Sequence, residues 1–186
     1  MKLIFLDIDG VLNSMNSCHV KCMLAAEKND RNICRDKYGH LFDEMAVQWL
    51  ELLILKTNAK IVISSTWRYG GLKEMQQMWK DRNLPGEVIG ITPCAKYRVE
   101  DETYGDAYRT TERGWEIKQF LRDIEKGTVP ETHCDIREPQ KIEAYCIFDD
   151  DRDMLDEQWE NFCQTNWNGI DYRLYCKACS ILKCEN

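Results

Sequence analysis

The sequence predicts an α/β protein in which a mainly parallel sheet carries helices on both faces. Two observations support this fold class. Short apolar runs, rich in β-branched residues, indicate buried strands, and segments with helical apolar periodicity separate them. Strands that are joined by helical crossovers form parallel sheets. A length of 186 residues suits one domain. We therefore expect residues 1–186 to form a single domain, with small inserts at about 14–41 and 92–111.

The N-terminal part is predicted to contain a strand, an insert and a helix. Residues 2–6 are apolar and form the strand. Residues 13–41 are polar, rich in cysteine and irregular in pattern, and we interpret them as an insert above the carboxyl end of that strand. Asp43 can cap the helix that follows, which has an apolar stripe and ends at Asn58.

Two further strands are predicted on either side of a helix in the middle of the chain. Residues 59–63 form the second strand, and residues 87–91 form the third. The helix between them covers about residues 72–82, where Gly70 and Gly71 precede it. This alternation continues the strand–helix–strand pattern of the first segment.

The C-terminal part is predicted to add one more helix and one more strand. The segment 92–111 is a polar, tyrosine-rich connection, and Thr111 can cap a helix that ends before Gly127. A loop with two prolines then leads to the fourth strand at 144–148. The chain from Gln158 onward contains a last helix or strand whose type the pattern does not decide.

The composition excludes some classes of function. The chain has 25 basic and 32 acidic residues, so its net charge is −7. Such a charge repels polyanions and argues against general coating of nucleic acids, although a local basic groove stays open. No apolar run approaches the length of a membrane span, and no signal peptide is recognised, so we expect a cytoplasmic protein without a membrane partner.

The chain contains ten cysteines, which we expect to be reduced thiols. Cys176, Cys179 and Cys184 lie close together in the tail, and Cys18 and Cys22 form a second close pair. A zinc site in the tail is one alternative, while buried or unreactive thiols are the favoured interpretation. The histidines His19, His40 and His133 lack ligand spacing, and we interpret each as a surface residue.

Polar side chains follow three of the predicted strands, at the point where each strand ends. They are Asp7 and Asp9 after the first strand, Ser64 and Ser65 after the second, and Asp149 and Asp150 after the fourth. Because ligands of parallel sheets bind beyond the carboxyl ends of the strands, these groups predict one site. Clustered carboxylates require a hard divalent cation, and oxygen ligands favour Mg²⁺.

The same site could receive a phosphate group. Ser64 offers a hydroxyl and a backbone N–H to a phosphate oxygen, and Arg113 offers a positive charge. A carboxylate can attack a phosphoryl group whose negative oxygens are neutralised by a metal ion and a cationic side chain. This is a known route to an aspartyl-phosphate. The residues therefore point to phosphoryl transfer.

Four segments together resemble the motifs of the haloacid dehalogenase (HAD) superfamily. In order along the chain, they read LDIDGVLN, IVISSTWR, ERGWEIKQFL and CIFDDDRDM. The resemblance implies a three-layer, Rossmann-like fold with only small cap inserts. The segments SSTWR and RGWEI are similar to a narrower group, the HAD domains of RNA-repair proteins and related small stand-alone phosphatases.

The resemblance also implies roles for individual residues. Asp7 would attack phosphorus, and Asp9 would act as general acid and then as general base. Arg113 would take the position at which the superfamily more often has Lys, with Lys118 as the weaker alternative. The implied Mg²⁺ ligands are the Asp7 carboxylate, the Asp9 backbone carbonyl and Asp150, supported by Asp149 or Asp153. The implied substrate-binding residues are Gly10, Ser65 and Arg68.

Three hypotheses of function follow from these residues. The first is a Mg²⁺-dependent phosphomonoester hydrolase that forms an aspartyl-phosphate, with a nucleotide or the phosphate end of a nucleic acid as its substrate. The second is a phosphotransferase or mutase on the same fold. The third is a non-catalytic binding module with a Cys-bound zinc. The insert 92–111 has aromatic residues interleaved with basic ones, which can stack on bases, although an ordinary solvated loop is favoured.

Overall fold

The computed structural model describes residues 1–94, 96–101, 105–110 and 112–184. Within these ranges the strands are β1 (Lys2–Leu6), β2 (Arg35–Asp36), β3 (Gly39–His40), β4 (Lys60–Ile63), β5 (Val88–Ile91), β6 (Lys96–Asp101), β7 (Gly105–Thr110), β8 (Ala144–Asp149) and β9 (Phe162–Gln164). The α-helices of the same ranges are α1 (Met15–Lys28), α2 (Glu44–Thr57), α3 (Leu72–Asp81), α4 (Arg113–Lys126) and α5 (Tyr172–Ile181). The strands β1, β4, β5 and β8 alternate with helices as the sequence predicts.

The main sheet has the strand order β5-β4-β1-β8-β9, and all of its pairs are parallel. The first strand of the chain therefore lies at the centre. Leu6, near the end of β1, pairs with Ile63 on one side and with Phe148 on the other. Because these ends are in register, Asp7 and Ser64 begin at the same edge of the sheet as Asp149. The predicted convergence of strand ends thus has its basis in the register.

Helices cover both faces of this sheet, which confirms the predicted three-layer arrangement. Side chains alternate between the two faces of a strand. In β1, Ile4 and Leu6 belong to the apolar core that α2, α3 and α5 share. Leu3 and Phe5 belong to a second core, on the other face, with Phe120 and other residues of α4. The central strand is buried on both sides, and it forms a rigid base for the residues that follow it.

The ends of α2 show how local sequence sets the helix bounds. The Asp43 side chain accepts a hydrogen bond from the Met45 N–H at 3.0 Å, as expected of an N-cap. Asn58 follows the last helical residue with a φ of 50°, the left-handed conformation that ends many helices. Both predictions from the sequence are confirmed.

The first insert is more regular than the sequence pattern suggests. The sequence predicts irregular structure for residues 13–41, and this prediction is wrong. The segment forms α1 and the short antiparallel hairpin β2–β3. Ser14 caps α1 by accepting a hydrogen bond from the Ser17 N–H. The helix has no apolar stripe to reveal it, since Met15 and Met23 are exposed and Ala25 is its buried residue. Capping and hairpin contacts, rather than a broad buried face, hold this insert.

The second insert is a hairpin, in which β6 pairs with β7 in antiparallel register. The sequence predicted a polar connection there and did not predict strands. The predicted cap Thr111 and the insert residue Tyr104 lie outside the described residues. The structure instead has Glu112 before α4, with no side-chain capping bond. In place of a cap, the Arg113 N–H donates a hydrogen bond to the carboxylate of Asp153, which lies 40 residues further along the chain.

The segment that the sequence left undecided forms a strand and a helix. β9 extends the sheet beside β8, and α5 packs its residues Leu174 and Ala178 into the core shared with α2. Asp171 caps α5 by accepting a hydrogen bond from the Leu174 N–H at 2.8 Å. None of the helices in the part of the chain that the structure describes combines the length and the apolar character needed to cross a membrane.

Candidate active site

A cluster of three buried carboxylates lies at the carboxyl edge of the sheet. Asp7 follows β1, Asp149 ends β8, and Asp150 comes next. Oxygen atoms of the three side chains lie within 4.8 Å of one another. Their exposed fractions are 6%, 1% and 9%. Three negative charges that are this close and this buried are unfavourable unless a cation or protons balance them.

The pKa values of this cluster show the same conflict. Burial raises the pKa of Asp149 to about 8 and that of Asp150 to about 7, and repulsion from Asp7 adds to both shifts. Burial also raises the pKa of Asp7, while the nearby Arg113 guanidinium and a hydrogen bond from Ser65 oppose that shift. In the absence of a cation, the cluster therefore tends to retain protons near neutral pH.

The cluster fits a hard divalent cation. The Oδ2 atom of Asp149 is buried and has no hydrogen-bond partner among the described residues. An orphaned carboxylate oxygen is costly to bury unless something positive contacts it. Three convergent carboxylates supply oxygen ligands only, which is the chemistry that Mg²⁺ prefers. Asp7, Asp149 and Asp150 are thus suited to hold such an ion.

Gly10 allows the loop after β1 to pass close to this cluster. Its φ is +72°, a conformation that side chains rarely adopt. A Cβ atom at this position would also lie 2.8 Å from Cγ of Asp150, which is too close for any residue other than glycine. The glycine of the first motif is therefore required for the backbone and for the placement of Asp150. Its predicted role in substrate binding stays a prediction.

Arg113 reaches the cluster from the first turn of α4. Its Nη1 lies 3.8 Å from Oδ1 of Asp7, and its Nε lies 3.8 Å from Oδ2 of Asp149. Nη1 also donates a hydrogen bond to the backbone carbonyl of Ser64. Burial alone would lower the pKa of Arg113, but the carboxylates of Asp149 and Asp7 outweigh it and raise the pKa. The guanidinium is thus a permanent positive charge beside Asp7.

Asp153 holds the start of α4 in place. Its Oδ2 accepts a hydrogen bond from the Arg113 N–H at 2.9 Å, and its backbone carbonyl accepts one from the Gly114 N–H at 3.0 Å. A carboxylate at a helix N-terminus satisfies orphan N–H groups and complements the helix dipole. Asp153, predicted as a supporting metal ligand, is therefore engaged in positioning Arg113. By contrast, Lys118, the alternative cation, pairs with Glu157 at 2.8 Å and is exposed.

Asp9 lies beside the cluster and has its own hydrogen-bond partners. Its Oδ1 accepts a hydrogen bond from Asn13 at 3.0 Å, and its Oδ2 accepts one from the Trp67 indole N–H at 2.8 Å. Its carboxylate is not part of the metal-binding group formed by the described residues. The two donors fix the orientation of a half-buried acid that borders an open cavity of about 410 Å³.

The two serines after β4 have different partners. The Ser65 side chain acts on the Asp7 carboxyl and lowers its pKa. The Ser64 Oγ accepts a hydrogen bond from the Thr92 hydroxyl at 3.4 Å, and the Ser64 carbonyl accepts one from Arg113. The sequence predicts the catalytic hydroxyl at Ser64 and a binding role at Ser65, and both roles stay predictions.

Arg68 is buried within the protein and engaged with it. Its Nη2 forms an ion pair with Oε2 of Glu116 at 2.6 Å, and both side chains are nearly inaccessible. Nη2 also donates to the backbone carbonyl of Pro93, while Nε and Nη1 donate to those of Thr92 and Ser65. These contacts join α4 to the loop that carries Ser65. The predicted substrate-binding role of Arg68 has no support in this arrangement, because the guanidinium has protein partners in place of an open approach.

Sequence reasoning missed several residues that shape this site. The position of Trp67 after the second motif is compatible both with packing and with lining the entrance of the site, and the sequence singles out neither Asn13 nor Glu116. Asn13 has a local signal, because it stands four residues after Asp9 and a turn brings such residues together. The partnership of Arg68 with Glu116 joins residues 48 positions apart and has no signal in a single sequence. His40, interpreted as a surface residue, lies beside Cys18 and Cys22.

The parallel sheet, its buried acids and the arginine at α4 define an α/β domain with a carboxylate-based site at the carboxyl edge. A family model for the HAD domain in Swiss Army Knife RNA repair proteins matches residues 3–170 of the chain. The match spans most of the sequence in a continuous stretch, and the chain belongs to this family. No curated protein and no solved structure matches the chain.

Proposed function

We propose that this protein is a Mg²⁺-dependent phosphomonoester hydrolase that acts through an aspartyl-phosphate on Asp7. The observation that carries the proposal is the buried group of Asp7, Asp149 and Asp150 beside Arg113. Membership of the HAD family supports it, since the family's first motif supplies both Asp7 and Asp9. Bound at the three carboxylates, Mg²⁺ would neutralise the negative oxygens of the phosphoryl group.

In the first step, a carboxylate oxygen of Asp7 attacks phosphorus and the bond from phosphorus to the leaving oxygen breaks. Asp9 donates its proton to that oxygen, so the leaving group departs as an alcohol. In the second step, Asp9 accepts a proton from water, and the water oxygen attacks phosphorus. Inorganic phosphate leaves and the Asp7 carboxylate is restored. Hydrogen bonds from Trp67 and Asn13 support this role by orienting Asp9.

Two other groups would stabilise the transferring phosphoryl group. The Ser65 side chain, which lowers the pKa of Asp7, would donate a hydrogen bond to a phosphoryl oxygen attached there. The Arg113 guanidinium lies 3.8 Å from Asp7 and adds a positive charge that needs no proton transfer. Asp153 and the Ser64 carbonyl keep this arginine in place.

We further propose that the substrate is a phosphate end of RNA or DNA. The family description names RNA repair proteins, and the first insert supplies a surface that suits a nucleic-acid backbone. Arg31, Arg35 and Lys37 are exposed there and, together with the acidic Asp36, line an open groove of about 480 Å³. Lys37 pairs with Asp81 at 2.7 Å, so Arg31 and Arg35 supply the positive charge for a phosphate. Tyr38 lines the same groove, with the Lys37 ammonium 4.8 Å from the centre of its ring. A local basic groove of this kind is compatible with the negative net charge.

The test is hydrolysis of an aryl phosphate and of oligonucleotides with a 3′- or 5′-phosphate. We expect activity that EDTA abolishes and Mg²⁺ restores, and oligonucleotides should be preferred over mononucleotides. Asp7→Asn should lower kcat by at least about 10³-fold, because it removes the nucleophile. Asp156→Asn, a change at an exposed acid away from the site, is the matched control.

Other outcomes would reject the proposal in favour of its rivals. Phosphoryl transfer to an added alcohol in excess of hydrolysis would indicate a phosphotransferase. Full activity in a folded Asp7→Asn protein would exclude the aspartyl-phosphate. Absence of hydrolysis for every phosphate tested, with oligonucleotide binding intact, would indicate a binding module.

A further inference from the structure

A second group of potential metal ligands lies in the first insert, apart from the carboxylates. Cys18 and Cys22 stand on α1, and His40 stands on β3. Their ligand atoms all lie within 4.8 Å of one another. The Nδ1 atom of His40 is 3.4 Å from Sγ of Cys18 and 4.0 Å from Sγ of Cys22. The insert therefore brings two thiols and an imidazole together.

These distances fit a common tetrahedral metal ion. Zinc binds Cys sulfur at about 2.3 Å and His nitrogen at about 2.0–2.1 Å, so sulfur and nitrogen ligands of one ion lie about 3.6 Å apart. The two observed separations, 3.4 Å and 4.0 Å, bracket that value. Thiolate and imidazole ligands favour zinc over Mg²⁺, which prefers oxygen. The two cysteines are four residues apart on a helix, so they share one face.

Cys34, in the segment between α1 and the hairpin, is the candidate for a fourth ligand. Its side chain is buried and its thiol interacts with that of Cys22, while its Sγ donates a hydrogen bond to the Arg31 carbonyl at 3.5 Å. Its backbone carbonyl accepts a hydrogen bond from the Leu41 N–H at 2.9 Å, which pairs Cys34 with the residue after His40. Cys34 lies outside the group of three whose ligand atoms are all within 4.8 Å, so its side chain would have to rotate to reach the metal. Four ligands of the Cys₃His type make a closed structural zinc site.

We propose that Cys18, Cys22, Cys34 and His40 bind a structural zinc ion that fastens α1 to the β2–β3 hairpin. The proposal goes beyond the phosphatase proposal and does not depend on it. On binding, the three thiols lose their protons to solvent and the imidazole binds in its neutral form. The site also explains how an insert with few buried apolar residues keeps a defined shape, because metal binding adds directly to its folding free energy.

The zinc site would also stabilise one wall of the candidate active site. The cavity beside Asp9 is lined in part by Cys18, Cys22 and His40. The preceding residue of the hairpin, Gly39, is packed against Trp67, since a Cβ atom there would lie 3.0 Å from Cη2 of the indole ring. Trp67 in turn donates the hydrogen bond to Asp9. A bound zinc would thus keep the hairpin in place, and Trp67 packs against this hairpin.

The experiment measures metal content in the full-length protein, purified under reducing conditions without a metal-affinity step. We expect one zinc per chain. Stripping the zinc with a chelator should lower Tm, and zinc should restore it, because a ligand of the folded state stabilises that state. Replacement by Co²⁺ should give the intense absorption of thiolate-bound cobalt, with an intensity that corresponds to three thiolates.

Variants separate this site from every other thiol and metal ligand. Cys22→Ser and His40→Ala should each lose zinc, and Cys34→Ser should lower the thiolate-to-cobalt absorption by about one third. The matched control is Cys176→Ser, an exposed tail cysteine, which should keep zinc and Tm unchanged. Asp150→Asn should also keep zinc, since it changes only the carboxylate cluster.

The proposal has clear contrary outcomes. Wild-type protein that binds no zinc after reduction and addition of the metal would overturn it, and so would a Cys18–Cys22 disulfide found in freshly purified protein. Loss of zinc in Cys176→Ser rather than in Cys22→Ser would assign the metal to the tail. Among the described residues, no three tail ligands are close enough to form such a group. Because the wild-type measurement requires no variant, misfolding of a variant does not decide the test.

Discussion

At the scale of single residues, Asp149 shows how burial and function oppose each other. Its Oδ2 is buried without a hydrogen bond from any described residue, and burial raises its pKa to about 8. The cost is tolerated because the same oxygen is suited to a metal ion. A charged Asp149 without a bound metal ion therefore destabilises the folded protein.

This conflict predicts a pH dependence for the metal-free protein. The pKa of Asp149 is raised from 3.8 in the unfolded chain to about 8 in the folded one, so the folded state binds more protons between those values. The free energy of unfolding should therefore fall as pH rises from 5 to 8, by up to about 1.4 kcal/mol per pH unit and proton. Asp149→Asn should reduce this slope in urea titrations with EDTA, whereas Asp156→Asn should not. Asp150, whose pKa is raised to about 7, keeps part of the slope, so a slope in Asp149→Asn as steep as that of the unsubstituted protein would contradict the assignment.

Trp67 provides a second prediction at the residue scale. Its indole N–H donates to Asp9, and Trp67→Phe removes this donor while it keeps an aromatic ring. A hydrogen bond to a charged group is worth about 1.5–3 kcal/mol, which corresponds to roughly a 10- to 160-fold loss of kcat. In the proposed mechanism Asp9 protonates the leaving oxygen, so alkyl phosphates should lose more activity than aryl phosphates with good leaving groups.

The control for Trp67 is Trp115→Phe, which changes an exposed tryptophan on α4. Equal losses for both classes of phosphate in Trp67→Phe would contradict a role in orienting the general acid. They would instead indicate a general defect of folding or binding.

At the scale of elements, one buried ion pair joins α4 to the turn after β4. Arg68 and Glu116 are 2.6 Å apart, with exposed fractions of 5% and 3%. Removal of one partner leaves a buried charge without its counter-ion, which costs about 3–5 kcal/mol. We predict such a loss in the free energy of unfolding of Glu116→Gln, measured by urea denaturation in the presence of Mg²⁺.

The surface of α4 carries a matched control for that prediction. Lys118 and Glu157 form an exposed pair at 2.8 Å, and Glu157→Gln should change the free energy of unfolding by less than about 1 kcal/mol. If both variants lose the same amount, the Arg68–Glu116 pair is not the contact that fixes α4. Activity should fall in Glu116→Gln as well, because Arg68 also binds the Ser65 carbonyl.

The four strands β1, β4, β5 and β8 and the helices α2, α3 and α4 could be predicted from the sequence because their cause is local. The apolar runs and the caps at Asp43 and Asn58 act within a few residues, and both caps are observed. The helix α1 could not be predicted, because its apolar residues are mostly exposed and do not line up on one face that packs into a core. A sequence pattern predicts a helix only where its apolar residues repeat on one face, which is the face that becomes buried.

Within the candidate site, the positions that the motifs name are close together, but their partners are not visible in the sequence. Asp7 and Asp149 meet because adjacent strands end in register. The Ser65 side chain lowers the pKa of Asp7, while the Ser64 hydroxyl bonds to Thr92, and the roles predicted for the two serines stay predictions. Contacts between distant segments, such as that of His40 with Cys18, depend on the completed fold.

At the scale of the whole molecule, the basic groove of the first insert predicts salt-dependent binding. Arg31 and Arg35 are exposed in a groove on a protein of net charge −7, so they are the local attraction for a polyanion. Each lost contact with a single-stranded phosphate should lower the slope of log affinity against log salt by about 0.7. Arg31→Ser/Arg35→Ser should therefore reduce this slope by about 1.4 and raise KM for oligonucleotides, but leave hydrolysis of aryl phosphates intact. Arg122→Ser/Lys126→Ser on α4 is the control. Unchanged oligonucleotide affinity in the first variant would place the nucleic-acid surface elsewhere.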